Sequence, residues 1–238
     1  MRKGLVNFSI FMTAFCLSCS GDGGGGTTGT PMPTDQEESV QRVVEGPNQL
    51  AALAANPADD QAIQGLFDLN ADLNNVVSYG MQQKYETRSS PLVETLRQPI
   101  DPSCYKVEEN KVTYDHCVES GLTIDGWIQN ADNVVSCDMT IKGTFEGTGI
   151  DMSYKGSVTV TDQFIDGQLD IVMKVVSSGM TVDYTLQADY QHIVLTDGCP
   201  TGGTLAVSAT YSTMGTNYHI MVEIVFGPAC GDAAATTY

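Results

Sequence analysis

Between Val135 and Phe145 every second residue is apolar or glycine (Val135, Cys137, Met139, Ile141, Gly143, Phe145), with Ser136, Asp138, Thr140, Lys142 and Thr144 between them. A period of two predicts a strand with one buried face. The next run repeats it, with Ile150, Met152, Tyr154, Gly156, Val158 and Val160 on one face. Closing the two runs through Gly147-Thr148 sets Phe145 opposite Ile150, Gly143 opposite Met152 and Met139 opposite Gly156. A third run carries Ile165, Gly167, Leu169, Ile171, Met173 and Val175, and its loop sets Val160 against Ile165 and Val158 against Gly167. A fourth, Met180 to Tyr190, pairs Val175 with Met180, Ile171 with Tyr184 and Gly167 with Ala188. A slip of one residue would turn an apolar row to the wrong face, so each pairing is constrained.

The same reading extends outward. Tyr105, Val107, Val112 and Tyr114 form a first hairpin around Asn110-Lys111, and Leu122, Ile124, Gly126 and Ile128 the next strand, with Ile128 meeting Val135. Past Tyr190 the apolar positions shift from even to odd numbers at Ile193 and Leu195, which predicts a bulge near Gln191-His192. A last hairpin sets Leu205, Val207, Ala209 and Tyr211 against Tyr218, Ile220, Val222, Ile224 and Phe226, leaving Gly231 to Tyr238 outside the strands. Glycines 126, 143, 156 and 167 lie inside strands and predict a strongly coiled sheet.

N-terminal to the sheet the period becomes helical. Thr34-Asp35-Gln36-Glu37 opens a short helix that ends before Gly46-Pro47, and a second piece runs from Gln49 to Ala55. The longest spans about Ala58 to Lys84, with Ile63, Leu66, Phe67, Leu73, Val76, Val77 and Met81 near helical spacing. Pro91 to Arg97 forms another short helix. The expected fold is therefore α+β and predominantly β. Its N-terminal helices (34–98) cover the apolar face of a large curved antiparallel meander of about eight or nine strands (104–230), a half-barrel or open barrel, in one domain over 34–238.

Residues 1–18 have a basic start (Arg2, Lys3) and an apolar stretch from Ile10 to Leu17, the layout of a secretory signal too short to span a bilayer as a helix. Leu17-Ser18-Cys19, followed by Ser20-Gly21-Asp22 and four glycines, resembles the lipobox and tether of bacterial lipoproteins, with Cys16 where that family usually has Leu. The resemblance implies a lipidated Cys19 as first mature residue and a flexible tether over 19–33. It implies membrane attachment through that anchor and, with Ser rather than Asp after Cys19, the outer membrane. Removing Arg2 and Lys3 takes the formal charge from −18 to −20, which disfavours nucleic acid and anionic membrane surfaces as partners.

Export makes the cysteines a disulfide question. Setting Glu109 against Val112 puts Cys104 opposite Cys117, and setting Val207 against Val222 puts Cys199 opposite Cys230. Opposed residues of an antiparallel pair lie within disulfide reach. Two disulfides and one free buried thiol, Cys137, are expected, the last inert through its apolar surroundings.

Candidate chemistry is sparse. Nucleophile elbow, zincin, phosphate-loop and dinucleotide signatures are missing from the sequence. The three histidines, His116, His192 and His219, fall on different strands; His219 shares a polar face with Glu223, a pair that could help hold a metal if a neighbour contributed but is read as solvated. Cysteine and histidine spacing suggests no metal site, and no cofactor is expected. Asp162, Asp166 and Asp170 surround the loop before Gly167 without calcium-loop spacing. Trp127 falls on the polar face next to Asp125. A membrane barrel would alternate in the same way, but the anchor, the lack of aromatic girdles and a C-terminus outside the strands oppose it.

Two functions remain. One is a carrier or sensor that holds a lipid or other hydrophobic ligand between helix and sheet, facing Met139, Met152, Tyr154, Met173 and Tyr184. The other, favoured because the inward apolar residues suffice to drive a core without a ligand, is a non-catalytic structural or interaction protein of the cell envelope, with a filled core and an envelope protein as partner.

Overall fold

In the computed structural model the described residues are 30–31, 34–56, 60–85, 103–119, 121–145, 148–177, 180–213 and 216–238. The signal, Cys19 and the expected Pro91–Arg97 helix lie outside them. In chain order the elements are β1 (Thr30–Pro31), α1 (Thr34–Ala55), α2 (Asp60–Tyr85), β2 (Tyr105–Glu108), β3 (Lys111–Glu119), β4 (Leu122–Ala131), β5 (Val134–Phe145), β6 (Thr148–Val160), β7 (Phe164–Ser177), β8 (Met180–Thr196), β9 (Cys199–Thr213), β10 (Thr216–Phe226) and β11 (Ala233–Thr237). The fold is mostly β. Strands β2 to β11 form one antiparallel meander, with the two residues of β1 added beside β11. The sheet is not closed: β2 and β1 stand at opposite ends of its order.

Within the meander the face of each strand follows the alternation, and register divides the hairpins into two groups. Val160↔Ile165, Val158↔Gly167 and Val207↔Val222 pair as the sequence predicts. The β5–β6, β7–β8 and β4–β5 pairs are each displaced by two residues from expectation. Phe145 faces Thr148, Met139 faces Tyr154 and Gly156 faces Cys137. Ile171 faces Leu186, Tyr184 faces Met173, and Ile128 faces Cys137. The difference is turn position and not turn length: Phe145↔Thr148, Ser177↔Met180 and Ala131↔Val134 each move the two-residue reversal one position along the chain from the expected closure. In the last of these, Asp132 and Asn133 both have positive φ (52° and 64°), as a type I′ turn requires.

Bulges re-phase strands at several points, and the β8–β9 pairing shifts between Val194 and Leu195. At Gln191–His192 the pairing moves from Tyr190↔Gly167 to Ile193↔Ile165 as expected, with His192 at φ 48°. Another, not anticipated, lies in β3, where Tyr114 pairs with Gly126 but Cys117 with Ile124, and His116 has φ 51°. The C-terminus departs from expectation as well: Ala233–Thr237 is a strand that pairs with β10, and its Ala234 and Ala235 are buried. Small residues gave it no alternation to read.

The interior glycines are explained by the neighbouring strand. A Cβ on Gly156 would overlap the carbonyl oxygen of Gln168, and one on Gly126, at φ 109°, that of Asp138. Backbones cross too closely there for any side chain, which is a coiling device and not a ligand approach.

The helical segment is simpler than predicted, because α1 runs unbroken through Gly46-Pro47. Its buried positions Val40, Val43, Val44, Leu50, Leu53 and Ala54 keep helical spacing across the proline. Gly46 lies where a Cβ would overlap the side chain of Leu69 on α2, so the pair that resembles a breaker is a helix–helix contact. Arg42 joins the two helices, its Nε donating to both carboxylate oxygens of the buried Asp72 at 2.9 Å and its Nη2 lying 2.8 Å from Oδ1. On α2, Leu66, Leu73, Val76 and Val77 are buried as expected, together with Leu69 and Tyr79, while Ile63, Phe67 and Met81 have no described side chains. Helix and strand residues join in one hydrophobic cluster.

Candidate functional site

The expected ligand-facing residues sit on the apolar face of the central strands. Met139, Met152, Tyr154 and Met173 are buried in the common cluster, and Tyr184 packs against it half-buried. Their polar atoms are engaged by the helices. Tyr154 Oη donates to the Leu66 carbonyl oxygen at 3.1 Å, and Tyr190 Oη to that of Val43 at 3.0 Å. Tyr184 Oη donates to Asn70 Oδ1 at 3.3 Å and accepts from Asn74 Nδ2 at 3.1 Å. Burial raises all three phenols above their ordinary value of 10.0, so they remain neutral donors. Tyr114, also buried, keeps an unpartnered hydroxyl. Met173 and Tyr184 also border a groove of ≈ 400 Å³ whose other walls include Asp151, Lys174, Asp183 and Thr210. Val172 adds an apolar wall, so the groove mixes apolar surface with charged residues at its border.

A larger cleft of ≈ 840 Å³ lies among the hairpin ends, with Asn48, Asn133, Thr161, Asp162, Gln163 and Asp197 around Val160, Phe164 and Leu195. Thr161 shapes it, its Oγ1 accepting the Gln163 and Phe164 N–H groups at 3.2 and 2.9 Å. Only Asp162 of the three expected aspartates enters this cleft. Asp166 lies 3.6 Å from His192 Nδ1, and Asp170 accepts from Gln168 and Gln187. The three carboxylates therefore do not converge on one reacting centre.

The partners of His219 and Glu223 include groups outside the expected pair. His219 Nδ1 meets Thr210 Oγ1 at 3.1 Å, and Glu223 accepts from Tyr238 Oη at 2.8 Å. Trp127 is half-buried on the polar face, and the Lys111 ammonium lies 4.6 Å from a ring centroid, a cation–π contact.

The cysteines pair as Cys104–Cys117 and Cys199–Cys230, with Cα separations of 5.1 and 5.6 Å. The register behind the first differs from expectation: Glu108↔Lys111 would carry Cys104 to Asp115, and the β3 bulge brings Cys117 within reach. Among the described residues Cys137 is the free, buried thiol, and burial pushes it up to about 12. These two bonds are consistent with an exported protein.

One grouping escaped the sequence. The β3 bulge turns His116 toward two carboxylates, with Nδ1 2.7 Å from Asp115 Oδ1 and 3.3 Å from Asp125 Oδ1. Its backbone N–H donates to Asp125 Oδ1 at 2.8 Å. The hydrogen bond to Asp115, then the charge of Asp125, hold the imidazole above its ordinary 6.5. The available signal was the change from even positions (Val112, Tyr114) to odd (Cys117), the cue that reveals the bulge at Gln191–His192.

Compared with known family models, curated proteins and solved structures, the chain matches none.

Proposed function

We propose that this is a lipoprotein of the bacterial cell envelope with a non-catalytic structural or interaction role, exported and attached through Cys19 to the outer membrane. In this reading α1 and α2 pack across the apolar face of a curved half-barrel and fill it. The observation that carries it is the set of three tyrosines, Tyr154, Tyr184 and Tyr190, whose hydroxyls are bonded to helical groups at the depth a ligand would occupy. A hydrophobic ligand would have to displace those bonds and the side chains of Leu66, Leu69 and Leu73, all buried in the same cluster. Each bond broken without replacement leaves a buried polar group that costs about 1–3 kcal/mol. The disulfides fit an oxidising compartment, and the acidic surface fits a soluble body on a tether.

Two experiments test this. Expression of the full chain in a bacterial host with an alkyne fatty acid should label the wild type and leave Cys19→Ala unlabelled; an unlabelled wild type removes the anchor. Native mass spectrometry of the detergent-released protein, followed by lipid extraction, should find no stoichiometric lipid beyond the covalent anchor. One bound lipid per chain would replace the filled-core reading with a carrier.

A further inference from the structure

We propose that Asp115, His116 and Asp125 bind one divalent first-row transition cation on the outer face of the sheet beside its β2 edge. The donor set is one imidazole nitrogen with two carboxylates, and donor atoms from all three residues lie within 4.8 Å of one another. Ligands bound to Zn²⁺ at about 2.0–2.2 Å stand roughly 3 Å apart, the scale of the 2.7 and 3.3 Å separations around His116 Nδ1. The nitrogen donor sets this group apart from ordinary surface aspartates. Carboxylates alone suit Ca²⁺ and Mg²⁺, whereas imidazole with carboxylate favours Zn²⁺, Ni²⁺ and Cu²⁺.

The donors come from two strands, and the β3 backbone that carries Asp115 and His116 is held from outside the group. Asp115 N–H donates to the Cys104 carbonyl at 2.9 Å, and the next residue after His116 is tied by the Cys104–Cys117 disulfide. Residue spacing hides the site, since only Asp115 and His116 are adjacent and Asp125 belongs to the following strand. Asp115 and His116 are exposed, so three protein ligands leave coordination positions for water or for a group on another molecule. The competing explanation is an ion pair only, a protonated His116 between two carboxylates. A metal must displace that proton.

The test uses the full chain, stripped of metal, at pH 7.5. ZnCl₂ is titrated by calorimetry and CuCl₂ by quenching of Trp127, the single tryptophan, two residues from Asp125 on the same strand. One Zn²⁺ per chain is expected, with quenching that saturates. His116→Asn retains a residue tolerant of positive φ, and Asp125→Asn retains an oxygen for the His116 N–H, so both keep the bulge. Each should weaken Zn²⁺ at least about tenfold, the loss typical of disturbing a metal site. His192→Asn, at the other exposed His–Asp pair, should leave affinity unchanged. Unsaturable binding, or equal loss in His116→Asn and His192→Asn, would assign the effect to diffuse attraction by an acidic surface. Unchanged affinity in His116→Asn would reduce the group to an ion pair.

Discussion

Tyr154 and Leu66, 88 residues apart, are joined by a buried hydrogen bond from the phenol of β6 to a helix carbonyl, at 3.1 Å. Tyr190 makes the same bond to Val43 from β8. Tyr154→Phe should cost about 0.5–1.5 kcal/mol, and Tyr154→Ala about 3–5 kcal/mol through the added cavity. Urea unfolding reads both. A Tyr154→Phe midpoint identical to wild type would count against the bond as a helix fastening.

Strand crossing makes a sharper contrast between two glycines. Gly156→Ala pushes a methyl into the Gln168 carbonyl and should destabilise by about 1–3 kcal/mol. At Gly149 the nearest atom to an added Cβ is 3.5 Å away, so Gly149→Ala should stay within about 0.5 kcal/mol of wild type. Thermal melts of the two variants side by side decide it, and equal effects would contradict the close approach.

The disulfides predict an intact mass four hydrogens below the reduced chain's. They also predict an order. Cys199–Cys230 closes a sequence separation of 31 and Cys104–Cys117 one of 13. Each should contribute about 2–4 kcal/mol, and the longer loop about 0.8 kcal/mol more by chain entropy. Paired serine variants in denaturant measure the difference, and the reverse order would show that native-state contacts outweigh loop entropy.

Cys137 couples the core to alkaline pH. Its thiol is held up to about 12 against an ordinary 9.0, chiefly by burial, with Asp138 adding to it. The unfolded thiol ionises first, so its contribution is complete below pH 9 and declines as pH rises toward 12, by about 1.4 kcal/mol per unit. Cys137→Ala should therefore flatten stability against pH in that window, while the buried phenols keep part of the slope. Native Cys137 should also resist a disulfide-exchange reagent at pH 8 until the protein unfolds; rapid labelling would place the thiol outside the core.

How much was legible depended on which pattern carried the information. Alternation located nine strands, β2 to β10, and assigned the inward residues from Val112 to Phe226. It failed at β11, where Ala-Ala-Ala-Thr-Thr has no alternation and only pairing to β10 makes a strand. It failed at Gly46-Pro47, where a local breaker signal conflicted with the apolar stripe and packing against Leu69 prevailed. The His116 grouping needed two strands and a bulge to assemble, and neither strand alone names it.

By itself the sequence determined the strand faces and hairpin order of β2 to β10 and named both cysteine pairs, although Cys104–Cys117 is reached through the β3 bulge and not through the expected register. A period of two specifies register only to within two residues: Gly156 lies on the inner face opposite either Met139 or Cys137. Choosing between them required the position of each turn and the crossing of neighbouring backbones, which only the tertiary structure supplies. The same holds for the helices, whose stripe can be read along the chain. That Tyr154 meets Leu66 and Tyr190 meets Val43 is decided by how two helices and an open sheet share one core.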